Sequence, residues 1–231
     1  MNYFSILYNL ITLHFYLILC DVVLSRSQAE QSSTHMLITV KTTGSNHWSR
    51  LIDLIDTWYQ FDPQNTYFVS DADDEAISRK TQGHLLNSGC GVGHDVSSLC
   101  CKMGFELRIA LKHRAKWWCH FDDDNYVNIF QLQSLLNGLN SRRDYYLGKI
   151  STSSPVAITQ LNADGDRNLS EFWFGTGGAG ICLSQSTLQK LHPYVKGKRF
   201  ERLCHTAGSI PDDVTLGYVI SMFDILLYKI F

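Results

Sequence analysis

The sequence predicts an α/β domain built on a largely parallel sheet. Three observations carry that expectation. Short β-rich runs alternate with helix-patterned segments. The 231 residues are 45% hydrophobic and 18% charged, a globular composition with room for one sizeable domain. Three consecutive carboxylates, Asp122, Asp123 and Asp124, follow the aromatic run KWWCHF. Ligands of open α/β sheets bind outside the carboxyl ends of strands, so an acidic run is in place there.

The elements are read in order. MLITVKTT (36–43) is a first buried strand, closed by Gly44. WSRLIDLIDTWYQ (48–60) sets Leu51, Ile52, Ile55 and Trp58 at helical spacing, with Pro63 as a stop. Residues 67–70 form a second strand that runs into an acidic loop, and residues 102–113 a helix. KWWCHF (116–121) is a third strand. IFQLQSLLNGLN (129–140) is a helix with Gly and Asn at its end, and DYYLGKI (144–150) is a fourth strand.

The ends differ from this body. Residues 1–24 have no Asp, Glu, Lys or Arg before Asp21, and a membrane helix needs a span of roughly 20 apolar residues. A signal-anchor is expected, with a cleaved signal as the alternative. Residues 25–35 read as a short polar stem, residues 36–220 as the folded domain and residues 221–231 as an atypical apolar tail. A secretory chain favours disulfides among Cys90, Cys100, Cys101, Cys119, Cys182 and Cys204. Asn168-Leu169-Ser170 is a glycosylation sequon in a polar stretch expected to be a loop. The formal net charge of −2 argues against a nucleic-acid partner.

Carboxylate oxygens are hard ligands suited to Mg²⁺ or Mn²⁺. Such an ion takes only one or two carboxylates, with phosphate and water completing its shell. The triplet therefore suits a metal that holds a diphosphate. The alternative is that it is a solvated loop or caps the helix starting near Ile129.

Three segments in order, HFDDDNYVN, FWFGTGGAGICLS (172–184) and IPDDVTLGYVI (210–220), together with VKTTGSNHWSRLIDLIDTW, resemble the Fringe family of Golgi glycosyltransferases. The resemblance covers about 36–220. It implies a GT-A fold and inverting transfer of N-acetylglucosamine from UDP-N-acetylglucosamine to the 3-hydroxyl of O-linked fucose. The acceptors it implies are EGF-like repeats of Notch-type receptors or ligands. It also implies Mn²⁺ and a single-pass type II protein of the Golgi membrane with a lumenal catalytic domain. By that resemblance Asp124 is the metal ligand, Asp123 and Arg50 contact the sugar nucleotide, and Asp213 is the general base. Cys90 with Cys101, and Cys119 with Cys182, match family disulfides. Cys100 and Cys204 are left over, either to pair together or for Cys100 to compete with Cys101.

The residues read alone leave Asp213 as base or as turn residue, and the glycines 175, 177, 178 and 180 as a close-approach loop or an ordinary turn. Trp173 is left between stacking on a ligand ring and packing in the core. The chain departs from the family pattern at Gly175, where alanine is usual, and at Val214, where cysteine is usual. It also stops at Phe231 without the family's H-S-H segment. The expectation is a fold incomplete at its C-terminus, with the metal resting on Asp124, diphosphate and water, and weak or absent activity. A related beta-1,3-galactosyltransferase and a non-catalytic product that only binds are the alternatives.

Overall fold

The computed structural model describes residues 36–161, 167–206 and 209–230. The expected anchor and stem (1–24 and 25–35) lie outside the described residues. Among the described residues no helix is long and apolar enough to cross a membrane.

The strands are β1 (Met36–Lys41), β2 (Thr66–Ser70), β3 (Leu85–Asn87), β4 (Trp117–Asp122), β5 (Tyr146–Gly148), β6 (Val156–Leu161), β7 (Arg167–Phe172), β8 (Ile181–Ser184) and β9 (Leu227–Lys229). The α-helices are α1 (Ile52–Asp56), α2 (Glu75–Lys80), α3 (Val96–His113), α4 (Ile129–Asn137), α5 (Gln185–Val195), α6 (Arg199–Thr206) and α7 (Asp212–Ser221). Seven strands form the central sheet in the order β3-β2-β1-β4-β8-β5-β9. All pairings in it are parallel except those of β8, which runs antiparallel to β4 and β5. The mostly parallel α/β sheet expected from the sequence is therefore present, with one reversed strand inside it. β6 and β7 form a separate hairpin.

Alternation along β1 and β4 builds a core on each sheet face. Met36, Ile38 and Val40 share one cluster with Trp117, Cys119 and Phe121, and Leu37 shares the other with Trp118. On the second face the cross-strand pairs run Leu37–Trp118, Thr39–His120 and Lys41–Asp122. That row passes from apolar through polar to charged as it nears the carboxyl ends. The chemistry of the site is thus prepared inside the strands that support it.

Several elements differ from the sequence expectation. The helix expected over 48–60 is a π turn (His47–Leu51), α1 and a 3₁₀ turn (Trp58–Phe61), broken at Thr57 with φ −118° and ψ −105°. Trp58 is fully buried there and its indole N–H donates to the Asn125 carbonyl at 3.1 Å. Tertiary packing has overridden local helical preference. α3 begins earlier than expected, because Asp95 caps it by accepting from the Ser98 N–H at 3.1 Å. Asn168 has its backbone in β7 and not in a loop; its side chain lies outside the described residues. The segment read as a tail supplies β9, which pairs in parallel with β5, while Leu226 and Tyr228 stay exposed.

Among the described residues three disulfides are formed: Cys90–Cys101, Cys100–Cys204 and Cys119–Cys182. The last is a direct cross-strand pair of β4 and β8. Gly180, just before β8, has φ +88°, and a Cβ there would meet Phe121 Cε1 at 2.4 Å. Both backbone conformation and space oppose a side chain. Gly180→Ala should cost about 1–3 kcal/mol or more, read as a lowered thermal unfolding midpoint.

Candidate functional site

The carboxyl ends of β1 and β4 and the π turn converge on one crevice. A cavity of about 310 Å³ is lined by Lys41, Thr42, Asn46, Arg50, Lys102 and the acidic triplet, among others. β4 ends at Asp122, and Asp123 and Asp124 form the turn after it. The Asn125 N–H closes that turn by donating to the Asp122 carbonyl at 3.2 Å. The triplet does not cap the next helix: Asn128 does, accepting from the Gln131 N–H at 3.1 Å.

The three aspartates have different surroundings. Asp123 is buried. Its Oδ2 accepts from Thr42 Oγ1 and Asn46 Nδ2, both at 2.8 Å, and its Oδ1 accepts from Arg50 Nη1 at 3.2 Å. Asp123 thus organises the loop after β1 and orients Arg50. Asp124 is the exposed member, its side chain 57% accessible, with Arg50 Nη1 3.6 Å away. Asp122 turns inward, with Lys41 Nζ at 3.4 Å and His120 Nε2 at 3.5 Å. Burial opposes its charge, but His120 and Lys41 hold its carboxyl well below the usual range.

Among the described residues no group of three or more His, Cys, Asp or Glu side chains could hold a metal ion. The protein therefore offers no closed cage. What it does offer is one accessible hard carboxylate, Asp124, at the mouth of a crevice with a cation, Arg50, beside it. That donor set fits a divalent ion whose remaining shell is phosphate and water oxygen.

Behind the crevice runs a buried row of charges. Glu106 on α3 accepts from Thr39 Oγ1 at 2.6 Å and lies 2.7 Å from His120 Nδ1. His120 is fully buried. Burial alone would lower its pKa, but Glu106, aided by Asp122, pushes it up to about 9. A histidine whose folded value lies above its ordinary 6.5 adds stability that is complete below pH 6.5 and lost as pH rises through about 9. The shift corresponds to roughly 3 kcal/mol. Unfolding free energy in urea should therefore decline across that window; a flat profile would contradict a charged His120.

Asp213 approaches from α7. Pro211 precedes the helix, and Asp212 and Asp213 occupy its first turn, where carboxylates suit the helix dipole. Asp213 Oδ2 accepts from the Gly177 N–H at 3.2 Å and Oδ1 from its neighbour Val214 N–H at 2.8 Å. Burial, and then the adjacent Asp212, push its carboxyl above the usual range, against those two amides and Lys41. Asn125 Nδ2 donates to the Gly178 carbonyl at 2.9 Å, tying the acidic turn to the glycine run.

Arg50, Asp123, Asp124 and Asp213 are thus gathered at one edge of the sheet, by elements distant in sequence. Trp173 is not with them: it lines another cleft, with Ile150, Glu171 and Asp224. Sequence reasoning passed over Lys41, Glu106, His120, Asp212 and Asn125. A lysine closing the apolar run MLITVK and a histidine inside WWCHF were the available signals.

Fold and site together define an α/β domain with an acid-lined, hard-donor crevice at the carboxyl edge of its sheet. The family model described as Fringe-like matches residues 31–230. The chain belongs to the Fringe family. It is 44% identical over 187 residues to a Fringe glycosyltransferase of Drosophila melanogaster, covering 80% of this chain and 45% of that protein. It is 39% identical to a beta-1,3-N-acetylglucosaminyltransferase lunatic fringe of Danio rerio, covering 82% of this chain and 50% of that one. A beta-1,3-N-acetylglucosaminyltransferase radical fringe of Notophthalmus viridescens is 37% identical, with 80% and 46% covered. The chain spans about half the length of these curated relatives. A solved mannose-1-phosphate geranyltransferase from Thermus thermophilus superposes with a TM-score of 0.41 at 14% identity, over 85% of this chain and 69% of that one, too distant to support an argument.

Proposed function

We propose that the chain transfers N-acetylglucosamine from UDP-N-acetylglucosamine, with inversion, to the 3-hydroxyl of O-linked fucose on EGF-like repeats. On this reading it works in the Golgi lumen, anchored by residues 1–24, and modulates Notch signalling through those acceptors. The observation that carries the reading is that Asp213 and the acidic turn are both tied to the glycine run, Asp213 at Gly177 and Asn125 at Gly178, in a chain of the Fringe family. Names of the relatives support the donor sugar.

Asp213 accepts the proton of the fucose 3-hydroxyl while that oxygen bonds to the anomeric carbon and the bond to UDP breaks. A buried carboxylate whose pKa is raised by burial and by Asp212 is a stronger base than an ordinary aspartate. Arg50, oriented by Asp123, binds the diphosphate. Asp124 would hold Mn²⁺, which when bound neutralises charge on the departing diphosphate.

The test incubates the purified chain with Mn²⁺, an O-fucosylated EGF repeat and a panel of UDP-sugars. The expected product is N-acetylglucosamine β1,3-linked to fucose. Preference for UDP-galactose would move the reading to a beta-1,3-galactosyltransferase. Donor binding without any product, unchanged by Asp213→Asn, would make the chain a binder only.

A further inference from the structure

Lys41 is the last residue of β1, its side chain only 10% exposed. Its ammonium donates to Asp212 Oδ2 at 2.9 Å and lies 3.4 Å from Asp122 Oδ1. Asp122 ends β4 and is backed by His120 and Glu106, while Asp212 opens α7. Opposite charges therefore alternate from α3 through β4 and β1 to the first residue of α7. α7 itself is seated closely, since a Cβ at Gly217 would meet Phe174 Cβ at 2.5 Å.

We propose that Lys41 is a positioning residue: its ammonium clasps Asp122 to Asp212 and thereby sets where Asp213 stands relative to the acidic triplet. Removing the cation would leave the buried Asp212 carboxylate and the part-exposed Asp122 carboxylate without a shared partner. Unpaired buried charge is strongly destabilising where it stands. The helix start would move outward to relieve it, and Asp213 would move with it. Lys41 lines the crevice, but its ammonium is directed at Asp212 and Asp122 and makes no hydrogen bond to Asp123, Asp124 or Arg50, so those donor-binding residues would be left in place. The catalytic consequence rests on the transfer reading above; the clasp itself does not.

The test compares the wild-type chain with Lys41→Met and with Lys41→Met/Asp212→Asn. Amide hydrogen exchange, UDP binding with Mn²⁺ by calorimetry, and transfer rate are the readouts. Lys41→Met should lose protection at residues 210–216, with the amides of β1, β2 and β4 unchanged. Its kcat should fall about 100-fold, the size of effect that follows a misplacement of about 1 Å, while UDP affinity stays within about 3-fold of wild type. The double variant, lacking the unpaired Asp212 charge, should recover local protection and at least about 10-fold in kcat. Unchanged exchange at 210–216, deprotection spread across the sheet, or a double variant no better than the single would overturn the clasp. Loss of UDP affinity equal to the loss in kcat would also overturn it, making Lys41 a diphosphate contact. If wild type binds no UDP or transfers no sugar, the transfer reading fails, and the exchange pattern of the three proteins still decides the clasp.

Discussion

Replacing Asp213 by asparagine should lower the transfer rate by about 10²–10⁴-fold, the usual contribution of a general base, with donor affinity nearly unchanged. Asparagine keeps the shape of the carboxylate but cannot take the acceptor proton. It also has one acceptor oxygen where aspartate has two. Of the Gly177 and Val214 N–H groups that Asp213 now satisfies, one would lose its partner, at a cost of about 1–3 kcal/mol. The comparison therefore belongs well below the melting temperature, with unfolding measured in parallel. The pH dependence gives a second check. A base must be ionised, so rate falls as pH drops through its pKa. Burial and Asp212 raise that pKa above the ordinary 3.8, so the acidic limb of kcat/KM should lie higher than an ordinary aspartate would give. A limb at or below 3.8, or an Asp213→Asn variant with normal turnover, would remove Asp213 from the chemistry.

Replacing Lys102 by methionine should have the largest effect on stability, about 3–5 kcal/mol. Lys102 Nζ donates to Asp71 Oδ2 at 2.6 Å and to the Thr42 carbonyl at 2.9 Å, and both ionic side chains are nearly inaccessible. Without the ammonium, Asp71 is a buried charge lacking its cation, and the loop after β1 loses an anchor. For a domain of this size the unfolding temperature should fall on the order of 10 °C. Lys102→Met/Asp71→Asn should lose less than Lys102→Met alone, because no unpaired charge remains. Burial opposes the Asp71 charge, but the Gly44 N–H and Lys102 outweigh it and hold the carboxyl below its ordinary 3.8. Its contribution is therefore full above pH 3.8 and lost as pH falls below it. A Lys102→Met chain as stable as wild type would mean that water reaches this pair.

The outer parts of the site were legible in the sequence because each is a contiguous string. HFDDDNYVN places carboxylates after a strand, and IPDDVTLGYVI places them before a helix, so period and punctuation suffice to locate them. The connection between them was not legible. Lys41 and Asp212 are 171 residues apart in sequence, and Thr39 and Glu106 are 67 apart. No local pattern records such partners; only the sheet order brings them together. The same holds for β8, whose direction is fixed by its neighbours and not by its own four residues. The break at Thr57 was hidden for a related reason. WSRLIDLIDTWYQ has a sound helical period, but the burial of Trp58 against the turn after β4 decides its geometry.

The adjacent cysteines on α3 have a mechanical consequence. Neighbouring helical residues point about 100° apart. Cys100 is bonded toward α6 and Cys101 toward Cys90, so the helix is moored on two sides and cannot roll about its axis. The same cylinder presents Lys102 to Asp71 and Glu106 to His120. Its angular setting is thereby held covalently, so the formation of those two bonds also sets the alignment of the charges behind the crevice.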